Sequence, residues 1–208
     1  MASTTEHWNT TDENAPRGTA VRVFLTGVSC VGKTTIGREL ARSLSVRFFD
    51  LDEETETFFG TSLERLHNRF QTIDFFRNEA AKVLSHVLAD PDSEDSVIAL
   101  PVGGLMGGYL RVIQRSTGVT VALHDKPQNI LERIFDVDFE PAPKSLTSDE
   151  RRWYLQEINR DIAYFSESYQ LADLQIDISG MGVHASAQKV REAVHLFTPK
   201  TAFQETSV

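Results

Sequence analysis

Short apolar runs alternate along the chain with stretches of helical spacing. Residues 21–25, 97–100, 119–123 and 174–178 read as buried strands, and Phe48-Phe49 as a shorter one ending at Asp50. Helical periodicity follows them. Ile36, Leu40 and Leu44 recur on one face, and Phe76, Ala80, Val83, Leu84 and Val87 form a second apolar stripe. Strands that alternate with helices predict an α/β three-layer sandwich, with a five-stranded parallel sheet covered on both faces. Residues 89–96, with acids and serines around Pro91, predict a surface loop. Residues 135–148 carry prolines and acids with little periodicity, and read as a mobile loop before a long helix capped by Ser148 or Asp149. Residues 1–18 read as a flexible arm, 19–198 as one folded domain and 199–208 as a tail.

Composition narrows the classes. The chain has 208 residues, 40% hydrophobic and 25% charged, which is the balance of a water-soluble domain with a sizeable core. No apolar run approaches the ~20 residues a membrane helix needs. The net charge of −9 argues against a nucleic-acid partner, yet leaves room for a locally positive pocket that takes a small anion. The expected partner is thus a small-molecule substrate, with no nucleic acid and no membrane; a monomer is the default and no oligomer is specified. The single cysteine, Cys30, forms no internal disulfide, which suits a reducing, cytoplasmic setting. His67, His86, His124, His184 and His195 stand at no metal-ligand spacing.

Residues 27–34, Gly-Val-Ser-Cys-Val-Gly-Lys-Thr, fit G-x-x-x-x-G-K-[ST] directly between a strand pattern and a helix pattern. Such a loop curls so that successive N–H groups face a phosphate, and the helix N-terminus adds its positive end. ATP with Mg²⁺ is the expected ligand. The candidate nucleotide-binding residues are Gly27, Ser29, Cys30, Val31, Gly32, Lys33, Thr34 and Thr35. Lys33 reaches the outer phosphates and Thr34 offers a hydroxyl to the metal. Cys30 reads as a small residue that fits a tight loop. No Asn-Lys-x-Asp guanine motif is present, which disfavours a GTPase. Asp50 and Asp52 follow the second strand, on the edge where α/β sheets bind ligands. The two acids are expected to differ in role, one toward the metal and the other toward an acceptor. Trp153 and Tyr154 are expected to pack the long helix.

These residues resemble the shikimate kinase family. The loop continues as Gly32-Lys33-Thr34-Thr35-Ile36-Gly37, with Leu40, Ala41 and Leu44 after it and then Phe49-Asp50-Leu51-Asp52. Gly60-Thr61-Ser62-Leu63, Phe76-Arg77, Val102-Gly103-Gly104 and Arg160 with Tyr164 are similar to later family positions, so the resemblance spans residues 21–197. It implies a P-loop NTPase fold with sheet order 2-3-1-4-5, transfer of the γ-phosphoryl of ATP to a hydroxyl of shikimate, and a place in amino-acid biosynthesis. It also implies that Thr34 and Asp50 hold Mg²⁺, that Lys33 and Asp52 are catalytic, and that Asp52 orients the acceptor hydroxyl. Arg77 and Arg160 would bind the acceptor carboxylate, Gly103 and Gly104 would let the ring approach the backbone, and Arg133 would stack on adenine. The chain departs from the family at three places. The lid arginine is missing from residues 139–146, leaving Lys144, Arg151 or Arg152 as substitute cations. Val102 replaces the first glycine of the triplet, and residues 177–180 lack the usual asparagine and proline. Two alternatives stay open: a kinase of another acceptor such as a sugar acid, or a nucleotide-binding regulator without kinase activity.

Overall fold

The computed structural model describes residues 22–137 and 146–197. The expected arm, the expected tail and most of the expected lid, Lys144 included, lie outside the described residues. The chain runs β1 (Arg22–Thr26), α1 (Lys33–Leu44), β2 (Arg47–Asp50), α2 (Leu51–Phe59), α3 (Leu63–His67), α4 (Ile73–Ala89) and β3 (Ser96–Ala99). It continues through α5 (Gly107–Ile113), β4 (Val119–His124), α6 (Pro127–Val137), α7 (Ser148–Tyr169), β5 (Leu174–Asp177) and α8 (Val183–Leu196).

All five strands are parallel in the order β2-β3-β1-β4-β5, as expected. Val23 of the central strand pairs with Val97 on one side and Val119 on the other. Val23, Phe24, Leu25, Val97, Ile98 and Val121 are fully buried, because helices cover both faces of the sheet. Helix α1 packs against α8, and α4 packs against α5. The stripe read from the sequence of α4 is the face it buries: Phe76, Ala80, Val83, Leu84 and Val87 all lie inside.

Three local expectations change. Thr147, not Ser148 or Asp149, caps α7: its hydroxyl accepts the Glu150 N–H while the Glu150 carboxylate accepts the Thr147 N–H. A threonine three residues before a glutamate completes this reciprocal pair, and Ser148 has no acid at that spacing. The loop after α4 is not wholly a surface feature. Ser93 is buried because the Arg22 guanidinium takes both its carbonyl, at 2.8 Å, and its hydroxyl, at 3.1 Å. Tyr154 packs its ring edge-on against Phe135, whereas Trp153 stands 55% exposed.

The approach of α5 to α4 depends on Gly108. A Cβ there would lie 2.8 Å from the Ala81 Cβ and 3.0 Å from the Arg77 carbonyl oxygen. Neither neighbour is the flexible end of a side chain. Gly108→Ala is therefore expected to destabilise the fold by ~1–3 kcal/mol, despite alanine's better helix propensity. Urea unfolding of the two proteins measures it, and an unchanged midpoint would show that α5 can shift freely.

Candidate active site

Four strand ends converge on one edge of the sheet. The loop after β1 carries residues 27–32, β2 ends at Asp50, the turn after β3 carries Gly103, and Asp125 follows β4. Gly32 is the N-cap of α1 with a φ of 109° and no side-chain cap, so the first N–H groups of the helix are left for a ligand. Val31 buries its side chain completely and offers the site only its backbone. Cys30 adopts a φ of 55°, a left-handed conformation that costs a side-chain-bearing residue about 1–2 kcal/mol. Ser29 and Thr35 are exposed at the loop's rim and on the first turn of α1.

Lys33 folds back over the loop. Its Nζ donates to the carbonyls of Gly27 at 3.0 Å and Val28 at 3.1 Å. Burial pulls its ammonium below the usual lysine range, and the carboxylates of Asp52 and Asp50 oppose that pull. The Thr34 hydroxyl donates to Asp50 Oδ2 at 2.6 Å. Hydroxyl and carboxylate side by side make a sparse all-oxygen set, which fits a hard cation that keeps water and phosphate in its shell. Among the described residues, no group of three or more His, Cys, Asp or Glu side chains could hold a metal.

The two acids do not lie on one extended strand. Asp50 ends β2 and caps α2, its Oδ1 accepting the Asp52 N–H at 3.1 Å, and Asp52 sits in the first helical turn. Both nonetheless face Lys33. Burial, with the nearby Asp50 charge adding to it, raises Asp52 to a pKa of about 6, against the opposing pull of Lys33.

On the acceptor side, the Arg77 side chain is 8% exposed and its one ion pair among the described residues, to Asp74, is long at 3.4 Å. Gly103, with a φ of 73°, lets the turn pass over it: a Cβ there would meet Arg77 Nη2 at 3.1 Å and Phe165 Cε1 at 3.0 Å. Gly104 differs, since the space of its missing side chain is taken by Leu100 and the Pro101 carbonyl. Tyr109 was not singled out by the sequence. Burial raises its phenol, the Asp52 carboxylate adds to that rise and Arg77 opposes it, which places the ring beside both.

Arg160 is exposed on α7. It lies about 200° round α7 from the buried Ile158, is 72% exposed and pairs with Glu157. The face of α7 turned inward instead carries Phe165 and Tyr169, whose buried hydroxyl lies by the Gly103 backbone without a well-formed hydrogen bond among the described residues. Arg151 and Arg152 are exposed at the start of α7, Arg152 3.6 Å from Asp149. Arg133 is held beneath the phosphate loop, paired with Asp125. The signal for Asp125 was its place at the end of β4, the same rule that drew attention to Asp50.

The family model for shikimate kinase matches residues 29–194. The chain belongs to the shikimate kinase family. It is accordingly an ATP-dependent kinase, a transferase with the P-loop kinase fold. It is 31% identical over 166 residues to the shikimate kinase of Chlorobium limicola, covering 77% of this chain and 80% of that one. It is 29% identical over 178 residues to that of Methylococcus capsulatus, covering 84% and 91%. The crystal structure of shikimate kinase from Bacteroides thetaiotaomicron superposes with a TM-score of 0.69 at 25% identity, covering 85% of this chain and 99% of that one. Among the described residues, no helix is long and apolar enough to cross a membrane.

The raised carboxyl at Asp52 has a consequence for stability. Its folded pKa of about 6 exceeds the ordinary carboxyl value of 3.8, so the folded state binds the extra proton between those values. Stability from this group is therefore full below pH ~4 and falls as pH rises through about 6. Asp52→Asn removes the charge and is expected to stabilise the unliganded protein by about 3 kcal/mol at pH 8, with little gain at pH 4. Denaturant unfolding at the two pH values checks this; an equal effect at both would remove burial as the cause.

Proposed function

We propose that this kinase transfers the γ-phosphoryl group of ATP to a hydroxyl of shikimate, with Mg²⁺. The observation that carries the reading is the meeting of Asp52 and Lys33 at the mouth of the phosphate loop, with Arg77 buried behind Gly103. The loop amides and Lys33 bind and neutralise the outer phosphates. Thr34 and Asp50 would hold Mg²⁺, which supplies charge neutralisation between phosphate oxygens. Asp52 accepts the proton of the acceptor hydroxyl, and a carboxyl with a pKa of about 6 is suited to that work near neutral pH. Arg77 presents a guanidinium fork with few protein partners to the acceptor carboxylate. Little covalent chemistry is asked of the protein, since phosphoryl transfer is governed by positioning and charge.

Acceptor-dependent ADP release with shikimate tests the reading. Asp52→Asn is expected to lower kcat by ~10²–10⁴ while leaving ADP affinity within about twofold. In the parent, kcat/KM for the acceptor should rise as pH passes through about 6, where Asp52 becomes ionised. A variant with near-parental kcat would take Asp52 out of the mechanism.

The exposure of Arg160 and its pairing with Glu157 favour a second reading, another small carboxylated polyol such as a sugar acid held by Arg77. The two arginines separate the cases. Arg77→Ala should raise KM for a carboxylate acceptor by ~10–100-fold, in line with the loss of one charge-assisted pair, while Arg160→Ala changes it less than twofold. Equal losses in both variants would restore the two-arginine clasp.

A further inference from the structure

We propose that Arg133 and Asp125 form a clamp that holds the phosphate loop in its binding shape. Arg133 is then a positioning residue rather than a platform for the nucleotide base. The proposal rests on nucleotide binding at the loop of residues 27–34.

The clamp has a fixed end and a gripping end. Asp125 follows β4 directly, and its side chain is 0% exposed. Its Oδ1 accepts the Lys126 N–H at 2.7 Å and the Asn129 amide at 2.6 Å, so the first turn of α6 pins it. Its Oδ2 takes Arg133 Nη2, which anchors one arm of the guanidinium. The other arm, Nη1, reaches the Val31 carbonyl at 3.1 Å and the Cys30 carbonyl at 3.5 Å. Both arms are engaged by protein.

The grip sets the direction of the loop amides. A trans peptide points its C=O and its N–H in opposite directions. Carbonyls of Cys30 and Val31 held on Arg133 therefore turn the N–H groups of Val31 and Gly32 the other way. The Gly32 N–H is thereby turned toward the phosphate cradle, while the Val31 N–H closes the loop on the Val28 carbonyl at 3.4 Å. The grip also falls on the strained residue. Cys30 has a φ of 55°, and a side-chain-bearing residue keeps such a conformation only where its surroundings over-determine it. Arg133 supplies that constraint from α6, and the buried Val31 side chain supplies it from the core.

Calorimetry with ADP and with inorganic tripolyphosphate tests the clamp on the parent, Arg133→Met, Asp125→Asn and Lys33→Ala. Tripolyphosphate has no base to stack. The clamp predicts that Arg133→Met and Asp125→Asn each weaken both ligands by about tenfold, the effect of one charge-assisted bond. It also predicts a raised KM for ATP with KM for the acceptor unchanged, which general destabilisation would not produce. A loss for ADP without a loss for tripolyphosphate would make Arg133 a base platform and overturn the clamp, as would unchanged affinity for both. Asp125→Asn keeps the shape of the anchor and removes its charge, so it carries the test if Arg133→Met folds poorly. There the base-platform reading expects ADP affinity to hold or rise, since the guanidinium is released. A parent that binds no ADP, or a Lys33→Ala variant that binds it as well as the parent, would overturn the phosphate-loop reading itself and the clamp with it.

Discussion

The carboxylate of Asp50 joins the two halves of the site. One oxygen accepts the Thr34 hydroxyl and the other accepts the Asp52 N–H. The first bond ties the end of β2 to the opening turn of α1. The second starts α2 and sets the direction in which Asp52 leaves the strand. Remove the carboxylate and the phosphate loop, the base and the helix that carries the base lose their common reference. Capping and catalysis are here the same geometry, since the N-cap that begins α2 also holds Asp52 toward Lys33.

Charge alternates through the pocket. Lys33 lies near Asp50 and Asp52, Arg133 is paired with Asp125, and Arg77 is paired with Asp74. A chain of net charge −9 can thus build an anion site from few cations, each given its place by an acid. The arrangement also explains why Asp52 titrates high. Its charge is opposed by burial and by Asp50, and Lys33 compensates only in part.

Much of this was legible in the sequence, and the failures have physical causes. The glycine-lysine loop between a strand and a helix, and the five strands themselves, were legible from local pattern, and the strand order followed from the family resemblance. The extended geometry assumed for Asp50 and Asp52 was wrong, because α2 begins at Leu51, between the two acids. Arg160 was matched by motif, and the phase of α7 leaves it exposed while Phe165 and Tyr169 turn inward. Helical phase over 22 residues is set by tertiary packing, not by any short motif. Tyr109 gave no pattern at all, as it acquires its meaning from partners far along the chain, and Asp125 offered only its place after β4. Arg133 was found, but its neighbours could be seen only in the folded structure.

The burial of Arg77 makes the fold sensitive to what enters the pocket. A guanidinium 8% exposed with one long ion pair lacks much of the solvation it would have in water. An anion that completes its hydrogen bonds binds the folded chain and has no such site on the unfolded one. Ligand binding of that kind raises the melting temperature in proportion to the logarithm of ligand concentration. Heat resistance then becomes a way to search for the acceptor: a library of small polyol acids could be ranked by the thermal shift each produces, with no turnover needed and no prior choice of phosphoryl acceptor.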